Sequence, residues 1–127
     1  RPFLLAAHSM GGLVARRWLQ LDAEAARLAI GLVTVGTPHA GTRLARFGPG
    51  LAAAQMRPGS SWLAELGRHD PPCPVLCVWS DVDTFVVPAA SAVLPRAESQ
   101  AFAGRGHFGM LRDPRLAPVL AGRLTQG

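Results

Sequence analysis

Lysine is absent from the sequence: all 13 basic residues are arginine, and they give a formal net charge of +5. Such a charge raises the question of nucleic acid. The arginines are scattered, with only Arg16 and Arg17 adjacent, and no stretch alternates arginine with aromatic residues as a nucleic-acid-binding stripe does. We therefore expect no nucleic-acid partner.

Long apolar runs are also missing, because glycine, proline or a charge interrupts each run before the roughly 18 residues that a membrane span needs. We expect no transmembrane segment. The chain has 127 residues, of which 49% are hydrophobic and 17% charged. This composition excludes a disordered tail, a collagen-like repeat and a coiled coil, and the length predicts one globular domain at most.

Cysteine occurs only twice, at Cys73 and Cys77, in a segment with the apolar pattern of a strand. At about 3.3 Å per residue their Cα atoms would lie roughly 13 Å apart, which is too far for a disulfide. We expect two free thiols, with Cys77 in the core. Free thiols favour a reducing, cytoplasmic compartment, and the destination is otherwise unknown.

Motifs that hold cofactors or metals are lacking as well. Neither G-x-G-x-x-G nor a G-K-[ST] phosphate loop occurs, and the spacing of His, Cys and Asp matches no metal-ligand pattern. We expect no metal and no cofactor.

The sequence does contain short apolar runs that alternate with helical patterns. These runs predict strands at residues 3–7, 28–35 and 74–80, the first and third of the buried, parallel type, and a fourth, shorter strand is predicted at 98–103. One helix follows the first run and ends near Asp22. Another is predicted to start at Asp113, with Pro118 breaking or kinking it after one turn. This alternation predicts an α/β fold with a mainly parallel sheet flanked by helices.

The segment from 42 to 67 predicts an irregular helical excursion. In it, Ser60 or Ser61 caps a short helix that Gly67 ends. Residues 48–66 are rich in Leu, Ala and Met, so they fit either a cap over a pocket or a plain packing helix.

Side chains of the kinds used in nucleophilic catalysis follow all four predicted strands. They are Ser9, His39, Asp81 with Asp83, and His107. Ligand sites in parallel sheets form at the carboxyl ends of the strands. We therefore expect a hydroxyl, a carboxylate and an imidazole at one edge of the sheet.

Ser9 stands in the sequence A-H-S-M-G, between the small residues Ala7 and Gly11. Small residues suit a strained strand-to-helix turn, where a side chain larger than alanine would collide with neighbouring backbone. The turn would aim the backbone N–H of Met10 at the position of a substrate oxyanion. The same residues also fit a simple turn that packs a helix on a strand.

Four histidines compete for the role of general base. His8 flanks the serine and is expected to point away from it, and His69 lies in a proline-rich linker where water would solvate it. His39 is expected to line a pocket and precedes the acid in the chain. We favour His107, because its glycine-rich loop lets the ring come within about 3 Å of a serine hydroxyl. A loop histidine bonded to a backbone carbonyl is the alternative.

The acid is either Asp81 or Asp83. A carboxylate that orients histidine must be partly buried, and the apolar residues 85–87 would pack the loop of Asp83 down. We favour Asp83 as the acid, with Asp81 capping the turn.

Four segments, in this order, resemble those of bacterial α/β-hydrolase lipases and esterases. They are the nucleophile elbow at 6–12 with A-H-S-M-G-G, the G-T-P-H-x-G loop from 36, the acid loop at 80–88 and the histidine loop at 104–111. The resemblance implies Ser9 as nucleophile, Asp83 as orienting acid and His107 as base. The Met10 N–H would be an oxyanion donor, and we expect His39 and Phe108 to line the substrate pocket.

The same resemblance implies that residues 1–127 form the C-terminal part of a single α/β-hydrolase domain, with 42–67 as a possible cap. In that family several strands precede the elbow, and an earlier loop supplies a second oxyanion donor. Loss of one donor lowers turnover by ~10²–10³. Without its neighbours, the strand at 3–7 would be an exposed, aggregation-prone edge.

The function implied by the resemblance is hydrolysis of a small-molecule or lipid carboxylic ester through an acyl-enzyme. Acyl transfer by the same triad, a catalytically incomplete fragment and a non-catalytic binding module are the alternatives. The acyl chain length and the oligomeric state are open.

Overall fold

Strands and helices alternate along residues 1–126, which the computed structural model describes. Within these residues the strands are β1 (Phe3–His8), β2 (Ala29–Val35), β3 (Val75–Trp79) and β4 (Glu98–Ala101). The α-helices are α1 (Met10–Leu21), α2 (Ala23–Leu28), α3 (Gly50–Gln55), α4 (Ser61–Leu66) and α5 (Leu116–Gln126). Short 3₁₀ turns lie at Arg43–Phe47, Ala89–Ala92 and Gly109–Arg112.

The four strands form one parallel sheet in the order β1-β2-β3-β4. The α/β fold class predicted from the sequence is therefore confirmed. Because all four strands run in the same direction, the residues that follow them emerge at one edge of the sheet. β1 pairs with β2 alone, so it is an edge strand, as expected for residues 3–7.

The sheet separates two apolar layers, because successive residues of a strand point to opposite faces. The layer on the α1 side is built from Ala15, Leu19, Leu32, Val75 and Cys77. The layer on the α5 side is built from Val33, Val35, Leu76, Val78, Phe102 and Met110, with Leu116, Val119 and Leu120 of α5 packed against it. Helices on both faces explain why β2 and β3 are apolar at nearly every position.

The end of α1 near Asp22 is confirmed, but the short helix α2 that follows it was not predicted. The Asp22 carboxylate accepts the N–H of Ala25 at 3.0 Å and caps this helix. β2 consequently begins at Ala29, and β3 and β4 are also shorter than the segments predicted for them.

The predicted break at Pro118 is wrong, because α5 continues through it to Gln126. Pro118 is the third residue of the helix. The first-turn N–H groups of a helix have no acceptor within it, so a proline there removes no helical hydrogen bond. Before α5, the Asp113 carboxylate accepts the N–H of Arg115 at 2.9 Å.

The segment from 42 to 67 contains the predicted short helix, and Ser60 rather than Ser61 caps it. Ser60 Oγ accepts the N–H of Leu63 at 3.1 Å, and Gly67 follows the last helical residue. Leu63 and Leu66 of α4 pack against Leu13 of α1. α4 is therefore a packing helix on α1, and the role of the segment as a cap stays a prediction.

Cys73 and Cys77 are free thiols, as expected. Cys77 lies on β3 and is fully buried in the layer on the α1 side of the sheet. None of the helices within residues 1–126 has the length and apolar character that crossing a bilayer requires.

Candidate active site

Ser9 forms the sharp turn between β1 and α1. Its backbone has φ 56° and ψ −130°, a left-handed conformation that costs energy for a residue with a side chain. Two contacts hold it there. The Ser9 N–H donates to the carbonyl of Val35 at 2.9 Å, and Thr37 Oγ1 donates to the Ser9 carbonyl at 2.8 Å. The serine is therefore fixed to the end of β2, and Met10 begins the helix with an N–H that has no acceptor within it.

Gly12 makes the Thr37 contact possible. A Cβ at Gly12 would lie 2.1 Å from Thr37 Oγ1, whereas one at Gly11 would meet only the Cβ of Ala7, at 3.9 Å. A side chain is therefore tolerated least at Gly12. The sequence pattern had emphasised Gly11, which lies one position earlier.

Asp83 and His107 form a buried pair at the same sheet edge. His107 Nδ1 lies 2.8 Å from Asp83 Oδ2, and the two side chains are 3% and 2% exposed. The other carboxylate oxygen, Oδ1, accepts the N–H of Phe85 at 2.9 Å and that of Val86 at 3.3 Å. A carboxylate without a proton only accepts, so this contact favours the imidazole tautomer with the proton on Nδ1 and the lone pair on Nε2. The pair has the orientation in which an imidazole can take a proton through Nε2.

Gly36 provides the space for this pair. Its φ is +59°, and a Cβ there would lie 3.1 Å from both Asp83 Oδ2 and His107 Nδ1. Gly36 directly follows Val35, whose carbonyl binds the Ser9 N–H. The serine turn and the Asp83–His107 pair therefore meet at the end of β2. Within residues 1–126 no hydrogen bond joins Ser9 Oγ to His107.

His8 is a contact of this site that the sequence reasoning missed. Its ring was expected to point away from Ser9, and it turns towards the histidine loop. His8 Nε2–H donates to the carbonyl of His107 at 3.0 Å, and the two rings lie 4.6 Å apart. Only the tertiary structure reveals this contact, although position 8 at the end of an apolar strand is an unusual place for a histidine.

Asp81 and Asp113 hold the histidine loop from outside. Asp81 is exposed, and its Oδ1 accepts the N–H of Gly104 at 3.3 Å, so it caps a turn of that loop. Asp113 is buried and pairs with Arg105 Nε at 3.0 Å and with Arg115 Nη2 at 2.7 Å. The hydrogen bonds from Arg115 are the main cause that lowers the pKa of Asp113 below its ordinary value. The carboxylates of Asp81 and Asp113 thus both hold residues of the histidine loop in place.

Phe108 and Phe85 form an aromatic rim above the pair. Phe108 is 61% exposed and its ring centroid lies 5.1 Å from that of His107 and 5.5 Å from that of Phe85. The Phe85 ring lies 4.8 Å from the His107 ring. Phe108 is therefore placed next to the candidate base, and the sequence reasoning had not singled out Phe85.

His39 does not join this group. Its ring turns into the α1 layer of the core, where Arg16 Nη1 donates to Nδ1 at 3.3 Å and Nε2–H donates to Thr34 Oγ1 at 3.0 Å. Burial, and then the Arg16 charge, lower the pKa of His39 to about 3, so the ring is neutral. The remaining histidine, His69, is exposed, as expected for the linker. The structure brings Asp83, His107 and Phe108 together, places the Ser9 turn at the same end of β2, and leaves His39 apart.

No group of three or more His, Cys, Asp or Glu side chains that could hold a metal ion occurs in the described part of the chain.

Solved structures with this fold include lipases. The chain matches Bacillus licheniformis lipase BlEst2 with a TM-score of 0.74 and 18% identity, over 94% of this chain and 66% of that one. It matches Aspergillus fumigatus lipase B with a TM-score of 0.71 and 16% identity, over 87% and 33% of the two chains. It matches Paleococcus ferrophilus monoacylglycerol lipase with a TM-score of 0.59 and 16% identity, over 97% and 69%.

These comparisons show that the chain has the α/β-hydrolase fold, as its resemblance to bacterial lipases and esterases implied. It spans between 33% and 69% of the length of these three structures. No protein-family model matches the chain, and the comparison with curated proteins finds no match.

Proposed function

We propose that the chain carries the Ser9–His107–Asp83 centre of a carboxylic ester hydrolase. The observation that carries the proposal is the Asp83 carboxylate 2.8 Å from His107 Nδ1, buried at the same sheet edge as the strained Ser9 turn. A buried, ionised acid holds the imidazole in the tautomer with a free Nε2, and that is the tautomer a general base needs.

In the proposed reaction His107 Nε2 takes the proton of Ser9 Oγ as the oxygen attacks the ester carbonyl carbon. The Met10 N–H donates to the oxyanion that forms. His107 then gives the proton to the leaving alcohol as the ester C–O bond breaks, and the acyl group stays on Ser9. Water, deprotonated by His107, attacks the acyl-enzyme, and the carboxylic acid leaves as Ser9 regains its proton.

The experiment measures hydrolysis of p-nitrophenyl esters by the full chain and by four variants, one of them a control. Ser9→Ala and His107→Gln should each lower kcat by on the order of 10³-fold or more. Asp83→Asn should lower it by up to about 10⁴-fold, because an amide that donates to Nδ1 reverses the tautomer. Asp81→Asn is the matched control, since its carboxylate only caps a loop turn, and it should keep most of the activity. Unchanged hydrolysis in Ser9→Ala would refute the proposal.

A second candidate is a non-catalytic binding module that keeps the fold. It is favoured by one observation: within residues 1–126 no hydrogen bond joins Ser9 Oγ to His107. A fluorophosphonate probe distinguishes the two, because it labels a serine only when a base activates the hydroxyl. Labelling of Ser9 that is lost in His107→Gln supports the hydrolase, and folded protein that stays unlabelled supports the binding module.

A further inference from the structure

Arg16 is a buried charge without a counter-charge. The residue is 5% exposed, and no carboxylate in residues 1–126 forms an ion pair with it. Its Nη1 donates to His39, whose ring is neutral, so this contact supplies a hydrogen bond and no opposite charge. Burying a charge without a counter-charge costs several kcal/mol of folding free energy, because the charge loses its contacts with water.

The Nη2 end of the guanidinium suits a carboxylate. Arg16 Nε is enclosed and has no hydrogen-bond partner. Nη2 also has no partner among the described residues and, unlike Nε, is not an enclosed atom. The N–H groups of Nη2 can donate to a carboxylate oxygen. Burial lowers the pKa of Arg16 below its ordinary value, but arginine remains protonated in proteins.

A cavity of about 590 Å³ adjoins Arg16 on the α1 side of the sheet. This volume lies within the usual range for small-molecule sites. Apolar groups line much of it, among them Leu63, Val75 and Leu94. The crossover from β3 to β4, which contributes Leu94 to the lining, contains a 3₁₀ turn at 89–92 and no α-helix.

The mouth of the cavity carries charges that already pair with each other. Arg96 and Asp70 lie at 3.7 Å and are both exposed, and His69 is exposed beside them. Arg16, which is buried beside the apolar walls of the cavity, is therefore the charge that lacks a counter-charge.

We propose that this cavity binds a carboxylate with an apolar tail, its charge on Nη2 of Arg16 and its tail against Leu63, Val75 and Leu94. The cavity lies on the α1 face, on the side where His39 is, and its lining residues include none of Ser9, Asp83 or His107. The site is therefore distinct from the candidate active site and does not depend on the proposed hydrolysis.

Octanoate is the probe, and Cys73, a half-buried thiol that lines the cavity, is the reporter. Cys77 has no exposed surface, so alkylation by iodoacetamide reads Cys73 alone. At ten times its dissociation constant octanoate should slow alkylation about 11-fold, because only the ligand-free fraction reacts. Octanol has the tail without the charge, and inorganic phosphate has the charge without the tail, so neither should protect at the same concentration.

Four variants test where octanoate binds. Arg16→Gln should abolish protection, and Ser9→Ala should leave it unchanged. If Arg16→Gln fails to fold, the cavity-filling variant Ala97→Phe decides instead, with Ala117→Phe on the exposed face of α5 as its control. Calorimetry should detect octanoate binding to the control and none to Ala97→Phe.

Equal protection by octanol or by phosphate would overturn the assignment of an amphiphilic carboxylate. Protection that survives in folded Arg16→Gln, or octanoate binding by Ala97→Phe, would overturn the site itself, as would the absence of octanoate binding to the unmodified chain.

Discussion

His8 and His107 are 99 residues apart in the chain, and the Nε2–H of one donates to the backbone carbonyl of the other at 3.0 Å. The hydrogen bond ties the residue before the candidate nucleophile to the backbone of the candidate base. His8 touches neither Asp83 nor the hydroxyl of Ser9 by hydrogen bond within the described chain, so we assign it a positioning role.

His8→Phe keeps a ring of similar size and removes the donor. We expect kcat for p-nitrophenyl ester hydrolysis to fall about 5- to 10-fold with KM unchanged, which corresponds to one hydrogen bond of about 1–1.5 kcal/mol. His8→Gln, which keeps an N–H donor, should recover part of the rate. A loss of stability without a change in kcat would show that the contact only supports the fold.

Gly36→Ala should disturb the Asp83–His107 pair directly. The backbone at φ +59° costs a residue with a Cβ about 1–2 kcal/mol, and the new methyl would lie 3.1 Å from both partner atoms. Gly59→Ala is the matched control, because it has φ +78° and nothing within 4 Å. We expect Gly36→Ala to lose more stability than Gly59→Ala because of these contacts, and only Gly36→Ala to lose activity, by about 10-fold or more. Equal activities of the two variants would contradict this.

Gly11 and Gly12 are neighbours in α1 that should respond oppositely to alanine. Alanine normally stabilises a helix interior by about 1 kcal/mol relative to glycine, and Gly11→Ala meets only an ordinary contact with Ala7. Gly12→Ala would clash with Thr37 and break its bond to the Ser9 carbonyl, so we expect a loss of about 1–3 kcal/mol. Urea unfolding of both variants measures the difference, and equal midpoints would contradict the assigned contact.

His39 predicts an acid dependence of stability. Its pKa is lowered to about 3 in the folded chain, from about 6.5 when unfolded. The unfolded chain therefore binds a proton that the folded chain does not when the pH lies between these values. The free energy of unfolding should decrease as pH falls from about 6.5 to about 3, by up to about 1.4 kcal/mol per unit, and His39 should contribute no slope above that range.

His39→Gln should flatten this slope, because glutamine does not titrate. The exposed His69→Gln is the control and should keep the slope. Urea unfolding at pH 7, 6 and 5 gives the three slopes, and a His39→Gln slope as steep as that of the unmodified chain would show that another group titrates.

Most elements of the fold could be predicted from local patterns. Continuous apolar runs predicted the first three parallel strands, and the small residues around Ser9 predicted its turn, because both depend on residues close in sequence. Local patterns also misled: Pro118 was expected to break a helix in whose first turn it sits. α2 was missed because six residues carry too little periodicity to be recognised.

The sequence by itself determined that a serine turn, two aspartates and a histidine follow parallel strands, since strand direction alone brings those positions to one edge. Tertiary structure decided which of these side chains meet. Asp83 is buried against His107, whereas Asp81 is turned to solvent. His39 enters the core, where it is hydrogen-bonded to Arg16. These outcomes depend on how loops far apart in the chain pack. Hydrogen bonds such as that between His8 and His107 form only when the sheet order places such loops together, and no spacing within one segment encodes them.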